Sequence, residues 1–343
     1  MNNTLTALKG VKVGHSTHED KLTGCTVILF DRPCPVAYKS YGGDAALFNV
    51  ENLKSGSWDF LRHGLFITGG SYSGLSSASE IMSFMIKNKL GWKLGKIINP
   101  ALSGAVVLDL GIWIAPYHSI YGKEAAENAG YEPVKSGNVG AGTGTSVGKF
   151  SYTKEGLDDL RLNMKAGIGS GRIDLGNGLK VCAISAVNAV GNVVLSDGTI
   201  LAGNRNNRKT PRFRTFEKSS ELLSGKESNT TISIVGINVD LKSYENYERV
   251  ASIASHGQVR AINPVNTSRD GDTVFVFSTR EIKSFFSPSG KSAARKWHKL
   301  DTDIIGQAAA KAVQQSIYDA CYKAETIKFD GSFGGIVPSW KDY

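Results

Sequence analysis

The spacing of apolar positions divides the chain into short strands and amphipathic helices. The stretches "GVKVGH" (10–15) and "GCTVILF" (24–30) predict two strands joined by a charged turn. "HGLFITGG" predicts a strand ending in Gly69 and Gly70, a pair that permits a sharp turn or close approach. Beyond it Leu75, Ala78, Ile81, Met82, Met85 and Ile86 recur at helical spacing. "SGAVVLDLGIWI" predicts another strand and "GKEAAENAG" a short helix. Further strands follow in "KVCAISAVNAVGNVVL", "GTILAGN", "TTISIVGINV" and "DTVFVFSTREI", with a helix from Tyr244 to about Gly257 between the last two. The final helix carries one apolar stripe, Ile305, Ala308, Ala309, Ala312, Val313, Ile317 and Cys321. Long apolar strands mixed with helices predict an α/β (α+β) arrangement with helices over the outer sheet faces. An αββα sandwich satisfies that pattern, and a doubly wound sheet remains open.

Composition narrows the class. The chain has 343 residues, 41% hydrophobic and 21% charged, which suits a large soluble core. No Pro-rich linker, low-complexity tract or fixed-period repeat divides it, so residues 1–343 are read as one domain. The first residues lack a charged start followed by an apolar run, and nowhere do about 18 apolar residues occur in succession, so neither a signal peptide nor a membrane partner is expected. Cys25, Cys34, Cys182 and Cys321 form no CxxC pair and are read as reduced thiols of a cytoplasmic protein. A cytoplasmic address also removes the glycosylation reading of Asn229-Thr230-Thr231. His15 and His18 make an HxxH without the helical setting that zinc sites of that spacing use, so no metal is expected. The formal charge is +9. The densest basic stretch, Arg205, Arg208, Lys209, Arg212 and Arg214 with Phe213 and Phe216 interleaved, is read as a solvated segment leading into the loop 217–229. No groove-reading module surrounds it, so no nucleic-acid partner is expected. The rival is a basic anion-binding protein, whose binding would weaken with salt and vanish when those arginines are neutralised.

Three motifs are candidates for chemistry. "GNVGAGTGTSVGK" is no phosphate loop, because Thr143 and Phe150 stand where a Gly and a Ser or Thr belong. It is no dinucleotide fingerprint either, since Thr145 replaces the third Gly. What remains is a flexible Gly-rich turn delivering Lys149, either to solvent or to a neighbouring active group. In "SRDGDTVFVF", Asp270 and Asp272 flank Gly271 before an apolar strand. Asp-Gly is a common turn pair, and the same carboxylates can orient a hydroxyl or an ammonium. In "NTTISIVG", Thr and Asn suit a loop–strand junction. The sharper reading is cleavage between Asn229 and Thr230. The freed α-amine, with an ordinary pKa near 8, would then serve as base to the Thr230 hydroxyl, so no catalytic histidine is needed.

The chain resembles the family of L-aminopeptidase/D-esterase enzymes, β-peptidyl aminopeptidases and nylon-oligomer (6-aminohexanoate-oligomer) endo-hydrolases, and most closely the nylon branch. The likeness runs from "GVKVGH" and "TGCTVILF" through "GLFITGGSYSGLSSA" and "GAGTGTSVGK" to "NTTISIVGINV" and "DGDTVF". It implies an αββα sandwich of the N-terminal-nucleophile type, self-cleaved into residues 1–229 and 230–343. It also implies a homo-oligomer, a tetramer of processed heterodimers, working without a cofactor on a small-molecule, oligoamide or peptide substrate. By motif, Thr230 is the nucleophile, and Asp270 and Asp272 orient its hydroxyl and amine. Lys149 helps keep that amine unprotonated, and an Asn188 side-chain N–H stabilises the oxyanion. The aminopeptidase branch uses Ser as nucleophile, so Thr230 points to the nylon branch. Leu108 stands where the nylon enzyme has a tyrosine, which bears on the substrate pocket but not on the reaction type. The expected activity is oligoamide hydrolysis, with an aminopeptidase as the alternative and acyl transfer of the ornithine-acetyltransferase kind as a third.

Overall fold

The strand β2 (Thr23–Ser40) belongs to two layers. Its first half pairs with β1 (Val11–His18) on one side and β3 (Leu61–Thr68) on the other. The register breaks between Leu29 and Cys34, and residues 36–40 then pair with β8 (Thr273–Ile282) instead. The first layer is completed by β4 (Leu102–Val106), parallel to β3, and the short edge strand Leu47–Phe48. The second layer runs β5 (Ile168–Asp174), β6 (Lys180–Asn188), β7 (Thr230–Val239) and β8. Within it β7 is antiparallel to β6 and parallel to β8. The structure is a computed structural model that describes residues 2–114, 120–150, 162–205, 212–215, 229–283, 294–329 and 335–343.

Alternation along the strands sorts their side chains into three cores. Ile28, Phe30, Ile67, Ile184, Ile232, Ile234, Phe275 and Phe277 meet between the sheets, where the Phe30 and Phe277 rings lie 4.6 Å apart. Their neighbours Val27, Leu29 and Phe66 face outward onto α1 (Ser77–Lys87) and α2 (Ile120–Glu127). Val235, Ile237, Val274 and Val276 face the opposite way, onto α3 (Tyr244–Ala254) and α5 (Ala294–Lys323), with α4 (His256–Ala261) beside them. The order helix, sheet, sheet, helix is the expected αββα sandwich. Because both faces of the second sheet are covered, every residue of β7 is buried.

Several local expectations need correction. The strand predicted over "SGAVVLDLGIWI" stops at Val106 and is followed by a 3-10 turn, Leu110–Trp113. The chain bends there because the Asp109 carboxylate is held by Thr23 and Gly70, so Leu108 lies beyond the strand. Ile86 is 49% exposed, and α1 buries Ala78, Ile81 and Met85 instead. In the run 137–149, read as flexible, Gly137 and residues 140–149 are buried and Asn138 and Val139 half-buried. Arg205, read as solvated, is 6% exposed and bridges to Phe213, whereas Arg208, Lys209, Phe216 and the loop to residue 228 lie outside the described residues. All four cysteines are buried thiols. His15 is half-buried against Thr26 at 2.9 Å, with its pKa lowered by desolvation to about 4, whereas His18 pairs with Glu124 at 2.8 Å. Among the described residues, no helix is long and apolar enough to cross a membrane.

Candidate active site

Strand pairing brings the candidate residues to one end of the second sheet. Thr230 opens β7 and stands opposite Asn188, the last residue of β6. The preceding residue, Asn229, forms a parallel bridge with Asp270, just before β8. The Asn229 N–H donates to the Arg269 carbonyl at 2.7 Å. Its carbonyl oxygen accepts the Gly271 N–H at 2.6 Å and the Thr230 hydroxyl at 2.5 Å. A short bond from a backbone donor polarises a carbonyl and favours negative charge on its oxygen. The Thr230 hydroxyl therefore lies against a carbonyl that already has a donor for the charge an attack would create. The Asn229 side chain is itself buried, with neither amide atom bonded among the described residues.

The two aspartates form the bed of this junction. Asp272 Oδ1 accepts the Thr231 N–H at 2.6 Å and its Oδ2 accepts the Asn266 N–H at 2.9 Å. Asp270 Oδ2 accepts the Thr267 N–H at 2.9 Å and its Oδ1 lies 3.4 Å from the Val190 N–H. Burial pushes the Asp270 carboxyl up, and the Thr267 and Val190 donors and the Lys149 charge pull it back. Burial and then the Asp270 charge push Asp272 well above the usual carboxylate range, against its backbone donors. Close carboxylates resist double ionisation, so this pair can hold a proton near Thr230.

Lys149 and Asn188 approach from the other side. Lys149, read as either solvated or catalytic, is 3% exposed, and its Nζ donates to Asn188 Oδ1 at 2.5 Å. The same oxygen accepts the Ser146 N–H at 3.2 Å, while Asn188 Nδ2 donates to the Leu108 carbonyl at 2.7 Å. Leu108 thus borders the site through its backbone. The structure brings together all of Thr230, Asp270, Asp272, Lys149, Asn188 and Leu108. It also adds groups that sequence reasoning missed. The Gly271 N–H is a backbone donor with no side-chain signal. Gln258 Nε2 donates to the Thr231 carbonyl at 3.0 Å and to Ser233 Oγ at 3.2 Å, fixing the first turn of β7. Lys165 is fully buried, donates to the Gly142 carbonyl at 2.9 Å, and has its pKa lowered by burial to about 7.

The model of Peptidase family S58 matches residues 3–333. The chain belongs to that family. Among its relatives, an uncharacterized aminopeptidase of Mycobacterium bovis is 27% identical over 359 residues, 97% of this chain and 99% of its own. The 6-aminohexanoate-oligomer endohydrolase of a Kocuria species is 27% identical over 322 residues, covering 91% of this chain and 84% of that one. Solved structures share the fold. The L-aminopeptidase D-Ala-esterase/amidase of Ochrobactrum anthropi, described as a variant of the Ntn hydrolase fold, superposes with a TM-score of 0.67 at 17% identity, over 99% of this chain and 92% of that one. A Burkholderia β-aminopeptidase gives 0.68 at 18% identity, over 100% and 92%. This S58 chain is therefore a hydrolase of peptidase/amidase type with an Ntn-hydrolase fold.

Proposed function

We propose that the protein is a self-processing amide hydrolase in which Thr230, freed at its own backbone nitrogen, is nucleophile and base together. The observation that carries this reading is the Asn229 carbonyl oxygen, held by Gly271 N–H at 2.6 Å with the Thr230 hydroxyl at 2.5 Å. In self-cleavage Oγ1 bonds to the Asn229 carbonyl carbon, the C–N bond to Thr230 breaks, and the hydroxyl proton passes to the departing nitrogen. Water then hydrolyses the ester, leaving a carboxylate on Asn229 and a free amine on Thr230. In turnover that amine takes the hydroxyl proton as Oγ1 attacks a substrate amide. The leaving amine receives the proton, and water activated by the α-amine releases the acid.

Two donors serve the two oxyanions of this scheme. In self-cleavage the Gly271 N–H is the donor on the Asn229 carbonyl, while Asn188 Nδ2 gives one N–H to the Leu108 carbonyl and keeps its second for the oxyanion of substrate turnover. Through its Oδ1, Asn188 also holds Lys149 Nζ at the end of the strand pair that carries Thr230. We assign a linear substrate with spaced amides, such as a 6-aminohexanoate oligomer or a β-peptide, on the strength of the Thr nucleophile. An aminopeptidase substrate is the second reading, favoured by relatives of that name whose whole length this chain matches. Denaturing electrophoresis of the pure protein should resolve pieces 1–229 and 230–343, the smaller starting Thr-Thr-Ile-Ser. Thr230→Ala should stay uncut and inactive. A fully active wild type that is never cut refutes the proposal.

A further inference from the structure

Asp109 is an acidic residue in the apolar run "GAVVLDLGIWI". It is 1% exposed, where an unbonded carboxylate would be strongly penalised. It precedes the turn Leu110–Trp113 but makes no side-chain cap bond to it. Its Oδ2 instead accepts the Thr23 hydroxyl at 2.7 Å, and its Oδ1 accepts the Gly70 N–H at 3.1 Å. That contact requires glycine at position 69, where a Cβ would stand 1.8 Å from Asp109 Oδ2 and 2.3 Å from Thr23 Oγ1. The next carbonyl back, that of Leu108, receives Asn188 Nδ2 at 2.7 Å, and Asn188 Oδ1 receives Lys149 Nζ at 2.5 Å. The titratable and charged groups facing Asp109 include Lys149, Lys165 and Tyr121. Those facing Lys149 among the described residues include Asp109, Asp270 and Lys165, and Cys321 lies against Lys165.

We propose that Asp109 is a positioning residue of the Thr230 site, pinning the Leu108 peptide that orients Asn188 and giving Lys149 a second buried counter-charge beside Asp270. The inference rests on the reading of Thr230 as nucleophile. Burial raises the Asp109 carboxyl to about 6, so it is ionised above that pH and favours the charged form of the lysine. In the precursor, where the Thr230 nitrogen is still an amide, a charged Lys149 favours loss of the Thr230 hydroxyl proton, and after cleavage it disfavours a proton on the freed amine. Asp109 touches no reacting atom and acts through Leu108, Asn188 and Lys149.

Asp109→Asn separates charge from shape, because its amide can still accept from Gly70 and donate to Thr23. The measurement is the self-cleavage rate of fresh precursor from pH 6 to 10, read by denaturing electrophoresis beside the wild type. The expected result is an alkaline limb moved down by about one pH unit, with the rate on that limb about tenfold lower, the effect of one lost neighbouring charge. A purely structural role lowers yield or melting temperature and leaves the limb in place. Thr23→Val keeps the charge but loosens the carboxylate, and should slow cleavage about threefold with the limb unmoved. A limb unmoved in a folded Asp109→Asn protein overturns the inference. So does a wild-type rate in Thr23→Val, which decides the matter should Asp109→Asn not fold. A wild type that is never cut sinks the Thr230 reading and this inference with it, whereas a cut wild type with either negative result sinks this inference alone.

Discussion

Gly271→Ala tests the Asn229–Thr230 geometry with a single methyl group. The glycine lies outside the left-handed region, so alanine can adopt its backbone and the perturbation is steric. A Cβ at 271 would stand 2.7 Å from Thr230 Oγ1, 2.9 Å from the Asp44 carbonyl oxygen and 3.1 Å from Ala45 Cα. The two loop atoms sit on backbone, so the rotatable Thr230 hydroxyl is the group that moves. Relief to ordinary van der Waals contact takes a displacement of roughly 1 Å, and misplacement of that size costs about 10²-fold in rate, or about 2.7 kcal/mol of barrier. The backbone N–H remains, so the oxyanion donor is kept while the nucleophile is shifted. Overpacking should also lower stability by about 1–3 kcal/mol. The assay follows conversion of freshly made precursor by denaturing electrophoresis, with a thermal melt to show that it is folded. Uncut chain should accumulate for hours under conditions where the wild type is fully processed. A folded Gly271→Ala protein that is cut at the wild-type rate would show that Thr230 Oγ1 does not attack from this position.

Thr230→Ser keeps the hydroxyl and should still be cut at 229/230, with N-terminal sequencing of the small piece giving Ser-Thr-Ile-Ser; an uncut Ser variant would count against simple Oγ attack. Gln258→Leu removes the donor to the Thr231 carbonyl and Ser233 Oγ, leaving Ser233 held by Ser185 alone among the described residues. It should lower stability by about 1–3 kcal/mol in a denaturant titration and slow self-cleavage. Lys165 has a folded pKa near 7 against 10.5 when unfolded, so the unfolded chain binds the proton more tightly. Stability should therefore fall as pH drops from about 10 toward 7 and level off below, by an amount on the order of several kcal/mol. Lys165→Met should flatten that slope when melting temperatures of the two proteins are compared across the same pH range.

Much of the architecture was legible because its signals are local. Alternating residues such as Val27, Ile28, Leu29 and Phe30 serve two cores at once, and the stripe from Ile305 to Cys321 buries as its spacing predicts. Errors fell where a tertiary contact overrides local pattern. The strand through Leu108 ends early because a buried aspartate reaches across to Thr23 and Gly70, and nothing adjacent in sequence announces those partners. A Gly-rich run looks flexible one residue at a time, yet residues 140–150 are buried in full. The Gly271 donor was invisible for another reason, since a backbone N–H belongs to every non-proline residue and only its direction distinguishes it.

Convergence of the candidate residues follows from strand directions. β7 and β8 run parallel, with Ile232 opposite Thr273, so the residues at the start of each strand, Asn229 and Thr230 on one and Asp270 to Asp272 on the other, must fall side by side. β6 runs antiparallel to β7, so its end rather than its start meets Thr230, and that end is Asn188. The turn leaving β6 carries the Val190 carbonyl, which accepts the Lys149 N–H at 2.8 Å and brings that residue alongside. Reversing any one of these directions would carry its side chains to the far end of the sheet, about 20–30 Å away for strands of this length. A single sequence displays the motifs in chain order but not the sense in which their strands pair. Two strand pairings and the Lys149–Val190 contact turn scattered motifs into one site, and because the first residue of a fully buried strand is fixed by its ladder, the carbonyl before Thr230 is held still beside the Thr230 hydroxyl, as the proposed self-cleavage requires.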